Sequence, residues 1–168
     1  MAVITITKQK FLTDAEYALV VKECNYRLDD VRAVFVLFVA YTGARRIEVS
    51  KVRKCDVSED SVYIRGAKGS LDREIPLPKE IVEAFHKLEG DAPFGKSDAT
   101  LDRWWNKFRP EHRKCGLHTL RHTMALRLYK KTKDIRLVKY LLGHKSITNT
   151  MVYADYCYSQ DELREALL

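Results

Sequence analysis

Four short segments hold side chains able to act on a charged substrate: TGARRIE at 42–48, GAKGSLDREIPL at 66–77, HTLRH at 118–122 and LLGHKSITNTMVY at 141–153. In the third, His118 and His122 stand four apart and share a helix face, the spacing of a zinc pair. A metalloprotease helix needs Glu directly after its first His, and Thr119 stands there instead. Arg121 between them would set a fixed positive charge beside any cation, so neither a metal nor a cofactor is expected. His118 and Arg121, three apart on one face, make a better pair, because a guanidinium fork beside an imidazole suits a phosphate oxygen. Alone, the other segments are ordinary. Arg45 and Arg46 fit solvent-facing helix positions, Glu48 fits an intrahelical ion pair with Arg45, and Lys68 fits a polar turn. His144 follows the helix-stopping Gly143, and Tyr153, nine residues later, fits the core or rim of a helix.

Order and combination change that reading. T-G-x-R-x-x-E, a turn Lys ahead of R-x-I-P-L, H-x-L-R-H, L-L-G-H and then a Tyr nine residues on together resemble the tyrosine recombinase (phage integrase) family, from about Phe11 to Asp155. The resemblance implies that family's catalytic-domain fold. It also implies a site-specific DNA recombinase or integrase that cuts and rejoins strands through a covalent 3′-phosphotyrosine and a Holliday junction, without metal or ATP. Position by position, it makes Arg45 and Arg121 the phosphate-clamping arginines, Lys68 the hairpin lysine, and His118 the residue three before the second arginine. His144 becomes the histidine of the last box, Tyr153 the nucleophile and Glu48 the acidic buttress of the first arginine. His122 braces the site from behind, while Arg46 misses the T-G-x-R position. Tyr156 and Tyr158 compete with Tyr153, and the spacing from His144 selects Tyr153.

The chemistry suits these residue types. Two guanidiniums stay charged at working pH and meet charge that builds on the nonbridging oxygens. Lys68 on a mobile hairpin reaches the leaving 5′ oxygen as general acid; His118 assists proton transfer at the tyrosine, and His144 hydrogen-bonds the phosphate. Two other readings compete: a DNA-binding regulator that has kept the fold and lost the chemistry, and a type IB topoisomerase-like nicking-closing enzyme that uses the same chemistry without exchanging partners. A tyrosine relaxase would need a His-hydrophobe-His metal pair, which the chain lacks.

A mainly helical chain with one small antiparallel sheet, an α+β class, has to position these groups. Thr13 and Glu16 form a capping box ahead of an inward stripe of Ala15, Leu19 and Val20. Asp29 and Asp30 open a second helix whose run VRAVFVLFVAY is apolar nearly all round and belongs at the centre. Thr42-Gly43 breaks it, and ARRIEVSKV predicts a short third helix with Ile47, Val49 and Val52 inward. Ser61 to Arg65 and REIPL alternate as two strands around the turn GAKGS. Helices are then predicted over 79–88, 100–108, 117–130, 134–142, 146–153 and 160–167.

At 168 residues the chain fits one catalytic domain over 1–168, large enough for a real core. Most relatives of the resembled family carry an extra amino-terminal domain that clamps the other face of the DNA. Here the pattern starts within fifteen residues, so the expectation is a domain natively short, excised, or clamped by another chain. Residues 159–168 form an expected tail helix with Leu163, Leu167 and Leu168 on one edge, either exchanged between protomers or folded back. Thirty Lys and Arg against twenty-three Asp and Glu give a net charge of +7, which favours an anionic partner or simply a solvated basic surface; the resemblance implies that the partner is double-stranded DNA. The resemblance implies a tetramer on DNA. Four scattered cysteines and no long apolar run point to a cytoplasmic protein with no membrane partner, and the resemblance implies a prokaryotic cell or the host of a virus or mobile element.

Overall fold

The computed structural model describes residues 10–156, with residues 164 and 167 in addition. Apart from those two positions, the expected tail helix lies outside the described residues. Helices α1 (Asp14–Asn25), α2 (Val31–Thr42) and α3 (Arg46–Val49) lead through a single 3-10 turn (Lys54–Asp56) to strands β1 (Ser61–Ile64) and β2 (Arg73–Pro76). Helices α4 (Lys79–Lys87), α5 (Asp98–Phe108), α6 (His118–Thr132), α7 (Ile135–Leu142) and α8 (Thr148–Tyr156) complete the element order.

Helix α2 is the hub, as its all-round apolarity requires. Residues Ala33 to Ala40 are each at most 1% exposed, and α1, α3, α4, α5 and α6 pack around them. Phe35, Phe38, Phe85 and Phe94 meet there with ring centroids 5.0–5.5 Å apart. Asp30 starts α2 by accepting from the Arg32 N–H, and Gly43 ends it at φ 60. A smaller core of Phe11, Met124, Ala125, Leu126, Val138, Leu142 and Tyr153 joins α6, α7 and α8. Trp105 is buried in the main core and donates from Nε1 to the Cys115 carbonyl, so it is a packing residue.

Several expectations shift. Thr13 and Glu16 do form the capping box of α1, but Ala15 and Leu19 face outward, Leu19 being 66% exposed. The inward stripe is Tyr17, Val20, Val21 and Cys24, because Tyr17, Val20 and Cys24 repeat at helical spacing from the cap. The third helix is one turn rather than nine residues, since Arg45 is extended as its cap and Ser50 closes it; Ile47 is only half-buried. Helix α5 begins two residues early, where the Ser97 side chain accepts from the Thr100 N–H. Helix α8 starts two residues late and runs to Tyr156.

The strands pair antiparallel with Val62 opposite Ile75 and Ile64 opposite Arg73. Alternation then places Arg73, Ile75 and Leu77 on the buried face. The loop between the strands carries Lys68, and its Leu71 N–H donates to the Gly143 carbonyl at 2.8 Å. The sheet is thereby pinned to the end of α7.

Candidate active site

Arg45 stands at the amino end of α3, where its backbone N–H donates to Glu48 Oε2 at 2.8 Å. That bond sets the direction in which the guanidinium leaves the chain. Nη1 lies 3.8 Å from Glu48 Oε1, and it is buried with no hydrogen-bond partner among the described residues. An unmet buried donor of this kind costs on the order of 1–3 kcal/mol, which an arriving anion would offset.

Glu48 itself is 1% exposed and belongs chiefly to Arg73, whose Nη2 and Nη1 reach its two oxygens at 2.9 and 3.3 Å. Oε1 also accepts from the Ala67 N–H at 3.3 Å. Burial opposes the charge on Glu48, but Arg73 and the backbone donors outweigh it and hold the carboxyl below its ordinary range. Next to Ala67, Lys68 sits exposed in the loop with a left-handed backbone, φ 51. It lines an open cleft of about 700 Å³ together with Arg45, His118, Arg109 and Lys114.

Arg121, from the first turn of α6, is 2% exposed. Its Nη1 donates to the Gly43 carbonyl at 2.6 Å, and its Nη2 to the Leu142 carbonyl at 2.9 Å and to His144 Nε2 at 3.1 Å. The two loops that follow helix-ending glycines or leucines are thus bolted to one side chain. Because arginine only donates, His144 Nε2 must accept, and Nδ1 carries the ring proton toward Thr150 Oγ1 at 2.9 Å. Burial, with Arg121 and Arg45 close by, holds His144 down to about 4. Burial and then Arg45 bring Arg121 down to about 10.

Tyr153 is 3% exposed, with its hydroxyl 2.8 Å from His122 Nδ1. Burial pushes that hydroxyl up to about 12, against the pull of Arg121 and Arg45. Both guanidiniums therefore lie within electrostatic reach of the tyrosine oxygen. His122 is held down to about 4 by burial, then by His118 and Arg121, so it is neutral at ordinary pH. His118 stands edge-on to His122 with ring centroids 4.6 Å apart and keeps an exposed edge toward the cleft. Its protein-facing side is desolvated, and Arg121 and Arg45 add to the effect, which brings it to about 4.

Arg45, Arg121, His144, His122 and Tyr153 thus form one cluster, with Lys68 and His118 lining the cleft beside Arg45. Arg46 turns away to Asp98 and Asp102, at 2.8 and 2.6 Å. Tyr156 packs edge-on against Phe11, and Tyr158 lies outside the described residues. Three contacts were not foreseen. His122, rather than His118, touches the tyrosine; Thr150 orients His144; and Arg73 takes the carboxylate that the spacing assigned to Arg45. Among the described residues no three His, Cys, Asp or Glu side chains gather as metal ligands. No described helix is long and apolar enough to cross a membrane.

Comparison with known proteins gives a consistent picture. The model of the phage integrase family matches residues 10–160. Tyrosine recombinase XerA of Pyrococcus furiosus is 28% identical over 144 residues, 74% of this chain and 50% of that protein. The integrase of Escherichia phage 186 is 27% identical over 166 residues, 94% of this chain and 46% of that protein. The chain spans about half the length of these curated relatives. Among solved structures, that of XerA recombinase superposes with a TM-score of 0.73 at 25% identity, covering 93% of this chain and 63% of that one. The catalytic domain of bacteriophage HP1 integrase shares the fold at a TM-score of 0.67 and 24% identity, covering 94% of each chain.

Proposed function

The chain belongs to the phage integrase family, and on that premise we propose that it is the DNA-cleaving and DNA-rejoining catalytic domain of a site-specific tyrosine recombinase. The observation that carries this reading is an Arg45 nitrogen buried without a hydrogen-bond partner among the described residues, on a cleft-lining side chain whose charge, with that of Arg121, acts on the Tyr153 hydroxyl. A scissile phosphate between the two arginines would meet that donor, and its nonbridging oxygens would gain fixed positive charge as the transition state forms.

In this reaction the Tyr153 oxygen forms a bond to phosphorus as the bond from phosphorus to the 5′ oxygen breaks. The tyrosine proton passes to His122 Nδ1, a transfer supported by the 2.8 Å contact and by the neutral state of that imidazole. Lys68 gives its proton to the departing 5′ oxygen. The 3′-phosphotyrosine keeps the bond energy, and attack by a 5′ hydroxyl reverses the steps, so neither ATP nor a metal is called for. His118, which lines the cleft, and His144, once an incoming phosphate oxygen takes over Arg121 and the ring proton shifts from Nδ1 to the freed Nε2, are the remaining donors to the phosphate. Tyr153 is 3% exposed, so α8 has to shift as DNA enters.

The XerH and λ integrase structures that share the fold are bound to DNA sites, the latter as a dimer. For this chain, assembly of four copies around a Holliday junction and action in the cytoplasm follow from the proposed reaction.

Covalent selection tests the reading without a known target. A randomised pool of nicked duplexes is incubated with the protein in EDTA, and DNA that survives denaturation on the protein is sequenced. The wild-type chain should enrich one sequence class covalently, and Tyr153→Phe should enrich none. Wild-type protein that retains DNA but never forms the covalent adduct would point to a DNA-binding regulator on this fold. Supercoil relaxation with no strand exchange would point to the topoisomerase reading.

A further inference from the structure

Arg73 is absent from every group of reacting residues above, yet it ties together three of the site's supports, Glu48, Leu71 and Leu141. Its side chain is fully buried, and its hydrogen bonds run to the site's supports. Nη1 and Nη2 hold Glu48 at 3.3 and 2.9 Å, Nε donates to the Leu141 carbonyl at 2.6 Å, and Nη1 also donates to the Leu71 carbonyl at 3.1 Å. Leu71 and Ala67 are the two shoulders of the loop that presents Lys68. The Ala67 shoulder is gripped by Glu48, at 3.3 Å, and the Leu71 shoulder by Arg73 and the Gly143 carbonyl. Leu141 directly precedes Leu142, the last residue of α7, whose carbonyl is held by Arg121.

Among the described residues, no side-chain hydrogen bond or ion pair anchors Lys68. It is exposed, and its backbone is in the left-handed region that side chains disfavour, φ 51, so the loop's conformation depends on what grips its shoulders. A buried arginine-carboxylate pair stabilises little on its own. What this pair does supply is geometry, since Glu48 also takes the Arg45 backbone N–H.

Resting on the assignment of Lys68 as general acid, we infer that Arg73 is a positioning residue that sets the distance between the leaving-group lysine and the phosphate clamp. Its neutral or shortened replacement lets the Lys68 loop drift from the 5′ oxygen while Arg45, tied by its own backbone to Glu48, and Arg121 stay in place.

The test exploits the leaving group. A nicked duplex of the covalently selected sequence is made with oxygen or with sulfur at the bridging 5′ position. A thiolate leaves without a proton, so a defect in general acid supply disappears on sulfur and a defect in phosphate clamping or folding does not. Three variants of the full chain are compared with wild type: Lys68→Ala, Arg73→Lys, and the paired Arg73→Met/Glu48→Gln, which removes both buried charges and guards against a fold that fails because one is left alone. Arg73→Lys should slow cleavage on oxygen by about 10²-fold, the scale of a lost general acid, and recover to near the wild-type rate on sulfur. The paired variant should show the same recovery on sulfur, on top of any slowing that the loss of the Glu48 charge beside Arg45 causes equally on both substrates. If both Arg73 variants stay slow on sulfur where Lys68→Ala recovers, Arg73 acts through the clamp or the fold and the inference is wrong. An unslowed Arg73→Lys on oxygen would also overturn it. Failure of Lys68→Ala to recover would instead remove the role given to Lys68, and the inference with it, while leaving the phosphotyrosine reading to its own test.

Discussion

At the scale of single residues, proton traffic at Tyr153 depends on two neutral histidines and two charged arginines. His122 keeps an unprotonated nitrogen down to about pH 4 and touches the hydroxyl at 2.8 Å. Wild-type cleavage should therefore be level on its acid side from about pH 6 upward and fall as the pH approaches 4. His122→Ala should be slower by roughly 10²-fold at pH 7 and should regain rate as the pH rises toward the value near 12 that burial gives Tyr153. Single-turnover rates across pH decide this, and an unchanged profile in His122→Ala would return the role to His118. The candidate residues themselves were legible because five boxes recur in a fixed order. The contact between His122 and Tyr153 was not, since it joins α6 to α8 across 31 positions of sequence. Arg73 left a readable trace, as it alternates with Ile75 and Leu77 on a strand with one buried face. An arginine in a buried register marks a partner waiting in the interior.

At the scale of elements, the site hangs on the ends of α2 and α7. Gly143 closes α7 at φ 68, and a Cβ there would come within 2.7 Å of Arg73 Nη1 and 2.9 Å of the Leu71 carbonyl. Gly90 has a similar backbone, φ 79, with nothing within 4 Å. Gly90→Ala should cost roughly 1 kcal/mol from backbone strain alone. Gly143→Ala should cost clearly more and should also slow cleavage, whereas Gly90→Ala leaves cleavage unchanged. Urea denaturation and single-turnover assays of the two variants measure the difference, and equal costs would show that Gly143 is needed only for its backbone. The helices were legible from periodicity and caps, and α2 most clearly. Their ends were not, because local hydrogen bonds such as Ser97 to the Thr100 N–H decide where a helix begins. The outward turn of Leu19 shows a further limit: a stripe of apolar residues predicts a face, but packing against α2 chooses which one.

At the scale of the whole molecule, charge and protonation set how the proposed recombinase would meet DNA and how stable it is. The net charge is +7, and Lys68, Arg109 and Lys114 line the cleft that holds Arg45. Affinity for duplex DNA should fall linearly with log salt, and Lys114→Ala should lower that slope by about 0.9 if the side chain neutralises one phosphate. Fluorescence titrations over a salt series test it, and an unchanged slope would place the DNA elsewhere. Stability should depend on pH through His122 and His144, whose folded values near 4 lie below the ordinary 6.5. The unfolded chain then binds more protons between those limits, so stability is full above about pH 6.5 and is lost as the pH falls toward 4. The thermal midpoint should drop from pH 7 to pH 5, and less so in His144→Asn. The central claim, that Tyr153 carries the covalent link to DNA, is tested most directly by protease digestion and mass spectrometry of the adduct trapped on a nicked duplex. The account predicts a nucleotide joined through its 3′ phosphate to Tyr153. The same mass on Tyr156 or Tyr158, or on no tyrosine at all, would contradict it.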